Sequence, residues 1–326
     1  MNFVRSCFEW GFYPFVIVSN IAIVWVLQRA GVPGSVIGAA LPFAYGALII
    51  GLERWMPDYA PWVTSWRTHV NDLLHGIFSN TLPSAIGRAV VLTVVSGISV
   101  RVEQAFGTGI WPDSWPYLAQ LVLAVVCADF VFYWGHRLMH TIPAIWRWHA
   151  IHHSFEHMYS LASLTNHPGQ VIVHYTLEFA FLVALGVPQE ILVGQAVYKA
   201  VHGIVQHSNL PMKFGWLNLF LSTPEMHRWH HHKAIRESNS NYGNTTAVWD
   251  HLFGSRNHEW NRPMPRDVGL PPGMQIEPKF LEQMAVPFTW NRRFPQAPTG
   301  WIPVYPTTKR GFLRAEQRLA QGHAAP

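Results

Sequence analysis

Five histidines fall within nineteen residues in "HRLMHTIPAIWRWHAIHHS" (136–154), and 16 of the chain's 19 lie between His136 and His258. Imidazole is the commonest metal ligand of proteins and the side chain that titrates nearest neutrality, so this density calls for a chemical role. His136 and His140 are four residues apart, while His149, His152 and His153 are spaced i, i+3, i+4. His227, His230 and His231 repeat that spacing in "TPEMHRWHHH". Residues so spaced share a helical face. Each group then presents two or three ring nitrogens along one stripe, as is needed to hold metal ions between helices. A lone histidine in such a place needs only a hydrogen bond. A pair and two identical triplets packed without a cation would instead repel one another as they protonated. Eight ligands exceed the four that an ion such as zinc takes, so two ions are expected. Imidazole suits iron, zinc, copper and nickel alike.

The elements that must position these rings are oily. The 326 residues are 49% hydrophobic and 13% charged, against about 25% charged in soluble domains. Residues 12–28 form an uncharged run long enough to span a bilayer. With Glu9 ahead of it and no small-x-small cleavage site behind it, it reads as a retained anchor rather than a signal peptide. Further runs cover 36–52, 82–100 (interrupted by Arg88) and 116–135, the last leading directly into His136. Trp55, Trp62, Trp66, Trp111, Trp115 and Trp134 sit near the run ends, as an interfacial belt requires. Residues 171–206 break at Gly186-Val187-Pro188, which predicts two helices joined by a tight turn, either a spanning pair or a re-entrant hairpin. The expected fold is all-α: a multi-pass membrane helical bundle with a cytosolic histidine-rich cap holding a dinuclear metal site. Four spans and a hairpin place every histidine group on the side of the N-terminus. Arg54, Arg67, Arg137 and Arg147 in the flanking loops make that side cytoplasmic.

Other chemistries find little support. Two cysteines, Cys7 and Cys127, are too few for a disulfide framework or a thiolate cage. The net charge of +5 is scattered among aromatics and prolines, which fits anionic headgroups and not nucleic acid. No flavin or nicotinamide fingerprint appears.

"DFVFYWGHRLMH", "WHAIHHS", "QHSNLP" and "TPEMHRWHHHKAIRESNSNYGNTTAVWDHLFGS" together resemble the fatty acid hydroxylase/sterol desaturase superfamily over roughly residues 50–260. These are integral-membrane, non-haem di-iron oxygenases with HxxxH, HxxHH and HxxHH boxes in that order. The resemblance implies two iron ions held by His136, His140, His149, His152, His153, His227, His230 and His231. His207 matches a further histidine on the helix between boxes, and His202 is a tenth candidate. His167, in "TNHP", matches a recurrent element expected beside the ligands or the substrate. Asn241 and Asp250 match elements expected to brace the last box. Asp129 precedes His136 by two helical turns. Its carboxylate is expected either to accept the Nδ1–H of a ligand histidine or to pair with Arg137 or Arg147. His157 and His232 are extra to complete boxes.

The implied organisation is 1–115 as N-terminal membrane helices, 116–260 as the catalytic domain and 261–326 as a basic, Pro-rich cap. The implied reaction is O2-dependent hydroxylation of a membrane lipid. Electrons would come from a partner, a cytochrome b5-like protein or a ferredoxin/reductase. Desaturation of a lipid or sterol is the alternative within the superfamily. A zinc-dependent membrane hydrolase and a metal transporter are alternatives outside it. The hydrolase normally needs fewer ligands and a carboxylate base, and the transporter needs ligands near the bilayer midplane. The ending "AQGHAAP" carries no ER-retrieval signal, which favours a bacterial inner membrane.

Overall fold

A computed structural model describes residues 2–297 other than 107, 108, 261 and 296. Among them the chain is helical, with two isolated β-bridges and no strand. The first two apolar runs form α1 (Asn2–Arg29) and α2 (Gly34–Trp55). α3 (Trp66–Leu74) passes through a π-helical turn, His75–Thr81, into α4 (Leu82–Val94), and α5 (Ser96–Phe106) follows. α6 (Tyr117–Thr141) starts behind Pro116, whose missing N–H costs nothing at a helix start. α7 (Pro143–His149) begins the same way, with proline in its first turn. α8 (Pro168–Ala184) and α9 (Gln189–Gln206) form the expected hairpin, turning at Gly186 with φ 80°. Short helices α10 (Pro224–His230), α11 (Ile235–Ser238) and α12 (Val248–Leu252) precede α13 (Phe280–Arg293).

Four segments are long and apolar enough to cross a membrane: Phe3–Arg29, Gly34–Trp55, Trp66–Val94 and Tyr117–Thr141. Phe15, Phe43, Val70, Leu82 and Val122 project outward from them, each more than half exposed. So broad an apolar surface is unfavourable in water and at home against acyl chains. The protein is an integral membrane protein.

The third span differs from expectation. It begins at Trp66, not Leu82, and residues 96–100 belong to the separate α5. Its first turns are polar but bond inward. Tyr159 Oη donates to Asp72 Oδ1 at 3.0 Å, and His75 Nε2 donates to Gln283 Oε1 of α13 at 2.8 Å. Hydropathy averaged along the chain hides a helix that turns its polar side to protein. The tryptophan belt also differs. Trp55, Trp66, Trp115 and Trp134 are exposed, but Trp62 lies buried under the Arg228 guanidinium and Trp111 is buried with its indole N–H on Gln120 Oε1.

Between lipid-facing helices the hydrophobic effect gives little drive, so close packing must hold them together. One core joins α1, α2 and α9 through Tyr13, Val16, Ile37, Ile49, Val201 and Val205. Where α6 meets α8, Gly135 lets the His174 ring lie against the helix; a Cβ there would sit 2.6 Å from His174 Nε2. A last core of Ala150, Ile151, Ile276, Val286 and Trp290 fixes α13 against the turn that follows α7. This framework brings the ends of α6, α7, α9 and α10 to one place.

Candidate metal centre

Nine of the ten expected ligands converge, and they do so in two groups. His136, His140, His149, His153 and His230 form one; His152, His207, His227 and His231 form the other. Within each group the ring nitrogens all lie within 4.8 Å of one another, and every ring is buried. The triplets do not act as single stripes. α7 ends at His149 and the chain turns through 151–153, so His149 and His153 face the first group while His152 faces the second. The second triplet divides likewise, His230 going to the first group and His227 and His231 to the second. The groups adjoin, with the rings of His153 and His231 stacked at 4.3 Å between centroids.

The position of the protons decides what these rings can hold. A carbonyl only accepts, so an imidazole nitrogen bonded to one must carry the hydrogen. His136 Nδ1 donates to Tyr242 O at 2.8 Å, His152 Nδ1 to Thr165 O at 3.1 Å, His207 Nδ1 to Gly203 O at 2.8 Å and His230 Nδ1 to Ser240 O at 2.7 Å. His140 Nδ1 meets Asn239 Oδ1 at 3.2 Å and His149 Nδ1 meets Gln170 Oε1 at 3.2 Å. Burial, reinforced by neighbouring imidazoles, holds His149, His153, His227 and His231 well below the ordinary histidine range. Burial also pulls His152 down to about 4 and His230 to about 3. These rings are neutral at pH 7, with the Nε2 lone pairs of His149, His152 and His230 turned inward.

Those lone pairs face each other. His136 Nε2 and His149 Nε2 are 2.9 Å apart, and His152 Nε2 and His207 Nε2 are 3.3 Å apart, with no proton left to share. The Nε2 atoms of His140 and His230 have no hydrogen-bond partner at all. Such an arrangement is repulsive unless a cation lies among the nitrogens. Two ligands about 2.1 Å from one ion, at angles of about 90–110°, sit roughly 3.0–3.4 Å apart. The residues present therefore fit a metal in each group.

His202 stands outside both groups. It is five residues before His207, roughly 140° away around a helix. Its Nε2 donates to Ser222 O at 3.0 Å and its Nδ1 faces Tyr13 Oη at 3.5 Å. Gln206 Nε2 donates to the same carbonyl at 2.6 Å, so both side chains hold the strand of chain that leads into α10. Thr223 then caps α10, its hydroxyl accepting from Met226 N.

Asp129 takes neither expected role. It accepts from the backbone N–H groups of Asn244, Thr245 and Thr246 at 2.8, 3.0 and 3.1 Å and from Thr246 Oγ1 at 2.7 Å. The proton of His136 goes to the Tyr242 carbonyl instead. Asp250 accepts from Tyr242 N and Gly243 N, each at 2.8 Å, which fixes that carbonyl from the other side. Asn241, in the left-handed region at φ 52°, donates to Met226 O and so ties the turn to α10. His167 caps α8 by accepting from Gly169 N and packs edge-on to Trp148, away from both groups. His157 is exposed, and His232 accepts from Ala234 N. Gln170, Asn239 and the four carbonyls that orient the rings had no signal in the sequence, because main-chain acceptors belong to every residue type.

Comparison with known proteins matches residues 121–255 to the family described as fatty acid hydroxylase. The chain is similar to the ornithine lipid hydroxylase of Rhizobium tropici, 32% identical over 250 residues, covering 76% of this chain and 74% of that one. It is similar to the alkylglycerol monooxygenase of Danio rerio, 25% identical over 260 residues, covering 78% of this chain and 55% of that one. It is also similar to methylsterol monooxygenase 2-1 of Arabidopsis thaliana, 30% identical over 160 residues, covering 44% and 57%. The chain spans little more than half the length of these last two. No solved structure gives a significant match.

Proposed function

The chain belongs to the fatty acid hydroxylase family, and from that premise we propose that it is a membrane-bound oxidoreductase that hydroxylates a lipid. The observation that carries this reading is the pair of adjoining, all-histidine groups, in each of which two unprotonated Nε2 atoms face one another, His136 with His149 and His152 with His207. In this reading each group holds one iron ion, the first through His136, His140, His149, His153 and His230, the second through His152, His207, His227 and His231. When bound, the two ions supply reduction of O2 with two electrons and two protons, so that a C–H bond becomes C–OH and the second oxygen leaves as water.

The chain's own residues do the rest. Acceptors on Nδ1 fix the direction of the His136, His140, His149, His152, His207 and His230 rings, so little reorganisation of these six is needed when metal enters. The aromatic shell, including Trp146 and Phe155, excludes water from an oxidising site. His136 and His140 lie in the last turns of a membrane-spanning helix, which puts the site within reach of a lipid still embedded in the bilayer. An electron-donor protein, cytochrome b5-like or a ferredoxin/reductase, supplies the electrons. The loop arginines support a cytoplasmic face, and a bacterial inner membrane is the proposed location.

Comparative lipidomics of cells with and without the gene tests this reading, together with metal analysis of the purified protein. A lipid gaining one oxygen, derived from labelled O2, with iron in the protein is the expected result. Loss of two hydrogens instead would assign a desaturase. Zinc in the protein and no O2 dependence would overturn the oxygenase.

A further inference from the structure

A narrow cleft opens onto the five-histidine group at His140 and His153; its empty space of about 490 Å³ counts the open solvent at the mouth. Trp146 forms its inner wall. Its roof comes from the far end of the chain, from Pro271, Met274 and Trp290. All three lie beyond residue 255, where the family match ends.

The lining is chemically selective. Apart from the two imidazoles, no acidic or basic side chain among the described residues faces the cavity. Two of its polar groups are already engaged: Asn239 Oδ1 takes the His140 proton, and Ser238 Oγ donates to the backbone carbonyls of Ala234 and Ile235. A charged guest would lose its water and gain no oppositely charged side chain among the described lining residues, whereas a hydrocarbon loses nothing. The roof also adjoins the bilayer. α13 buries Val286 and Trp290 but leaves Leu281 and Phe288 exposed at 78% and 74%. Phe280, at its start, packs on Phe78 of the third span, which is itself exposed.

We propose that this cavity receives the hydrocarbon chain of the lipid and delivers the oxidised carbon to the five-histidine group, with Pro271, Met274 and Trp290 setting how deep the chain goes. The proposal rests on the lipid hydroxylase reading. It makes the segment after residue 255 the part of the protein that selects chain length and the carbon oxidised.

The test uses the full-length, metal-loaded protein in lipid nanodiscs with a photoreactive palmitate carrying a mid-chain diazirine, and adducts mapped by mass spectrometry. Adducts on Met274, Trp290 or Trp146 are expected. Met274→Trp should cut them about tenfold, the effect of excluding about two methylenes, while metal content and labelling of the outward spans stay unchanged. Met274→Ala should keep the adducts and shift the oxidised product toward longer chains, and it decides the matter should Met274→Trp fail to accumulate. Adducts confined to the outward spans, or variants indistinguishable from wild type in adducts and product, overturn the proposal. If wild type oxidises no lipid while the adducts still map to the cavity, the hydroxylase reading fails and the cavity stands.

Discussion

His136 and His149 bring their Nε2 atoms to 2.9 Å of each other while each keeps its proton on Nδ1, one held by the Tyr242 carbonyl and the other by Gln170 Oε1. This contact is unfavourable in the bare protein and favourable with a cation between the rings. Folding has thus built the strain that metal relieves.

Removing Gln170 should weaken metal binding without removing a ligand. Gln170→Ala frees the His149 ring to turn, and loss of such an orienting partner typically lowers affinity about 10–100-fold. Gln170→Glu, which still offers an oxygen, should recover most of it. Competition with a chromophoric chelator reads both, and equal affinities in all three proteins would refute the orienting role.

The four-histidine group has no ligand to spare. His152→Ala should therefore cost about one bound ion per chain, since three imidazoles leave a four-coordinate ion incomplete, and turnover should vanish while membrane insertion persists. Replacing His323, which lies outside the described residues, should change neither. Full metal content and turnover in His152→Ala would dissolve the second group.

Acid should loosen the metal-free protein before it unfolds other parts. His152 and His230 take up a proton near 6.5 when unfolded, but only near about 4 and about 3 when folded, because burial disfavours the charged ring. Between those values the unfolded chain binds more protons, so stability falls as pH drops from 6.5 and the contribution of His152 is fully lost below about 4. Thermal unfolding of the metal-free protein across that window checks the sign. A melting temperature that rises on acidification would contradict it.

Asp129→Ala should destabilise the fold without touching a ligand. It strands three backbone N–H groups and the Thr246 hydroxyl, at about 1–3 kcal/mol for each buried donor left unpaired. Denaturation in detergent should show a large drop, with Asp129→Asn milder. An unchanged transition would mean that the 244–246 turn has another support.

The nine converging histidines were legible in the sequence because metal-binding residue types are few and their helical spacing is regular. The sequence did not reveal how the triplets divide between two groups, because that depends on where α7 stops, and Ala150 and Ile151 look as helical as what precedes them. His202 and His207 look alike in the sequence, and only their angle around α9 separates a ring facing the centre from one facing Ser222 and Tyr13. Asp129 was visible as a buried carboxylate near His136, but its partners are main-chain amides over a hundred residues away. The third span was misplaced at Leu82 for a similar reason: Asp72 and His75 are polar to a hydropathy average yet buried against Tyr159 and Gln283.

The dealing of each triplet to both groups has a consequence for the assembled centre. The turn at 150–153 and the end of α10 are shared girders, so a disturbance on one side is transmitted to the other through a few covalent bonds. A single ring can still be removed from one half alone, but moving the backbone of either shared turn re-aims rings in both halves at once.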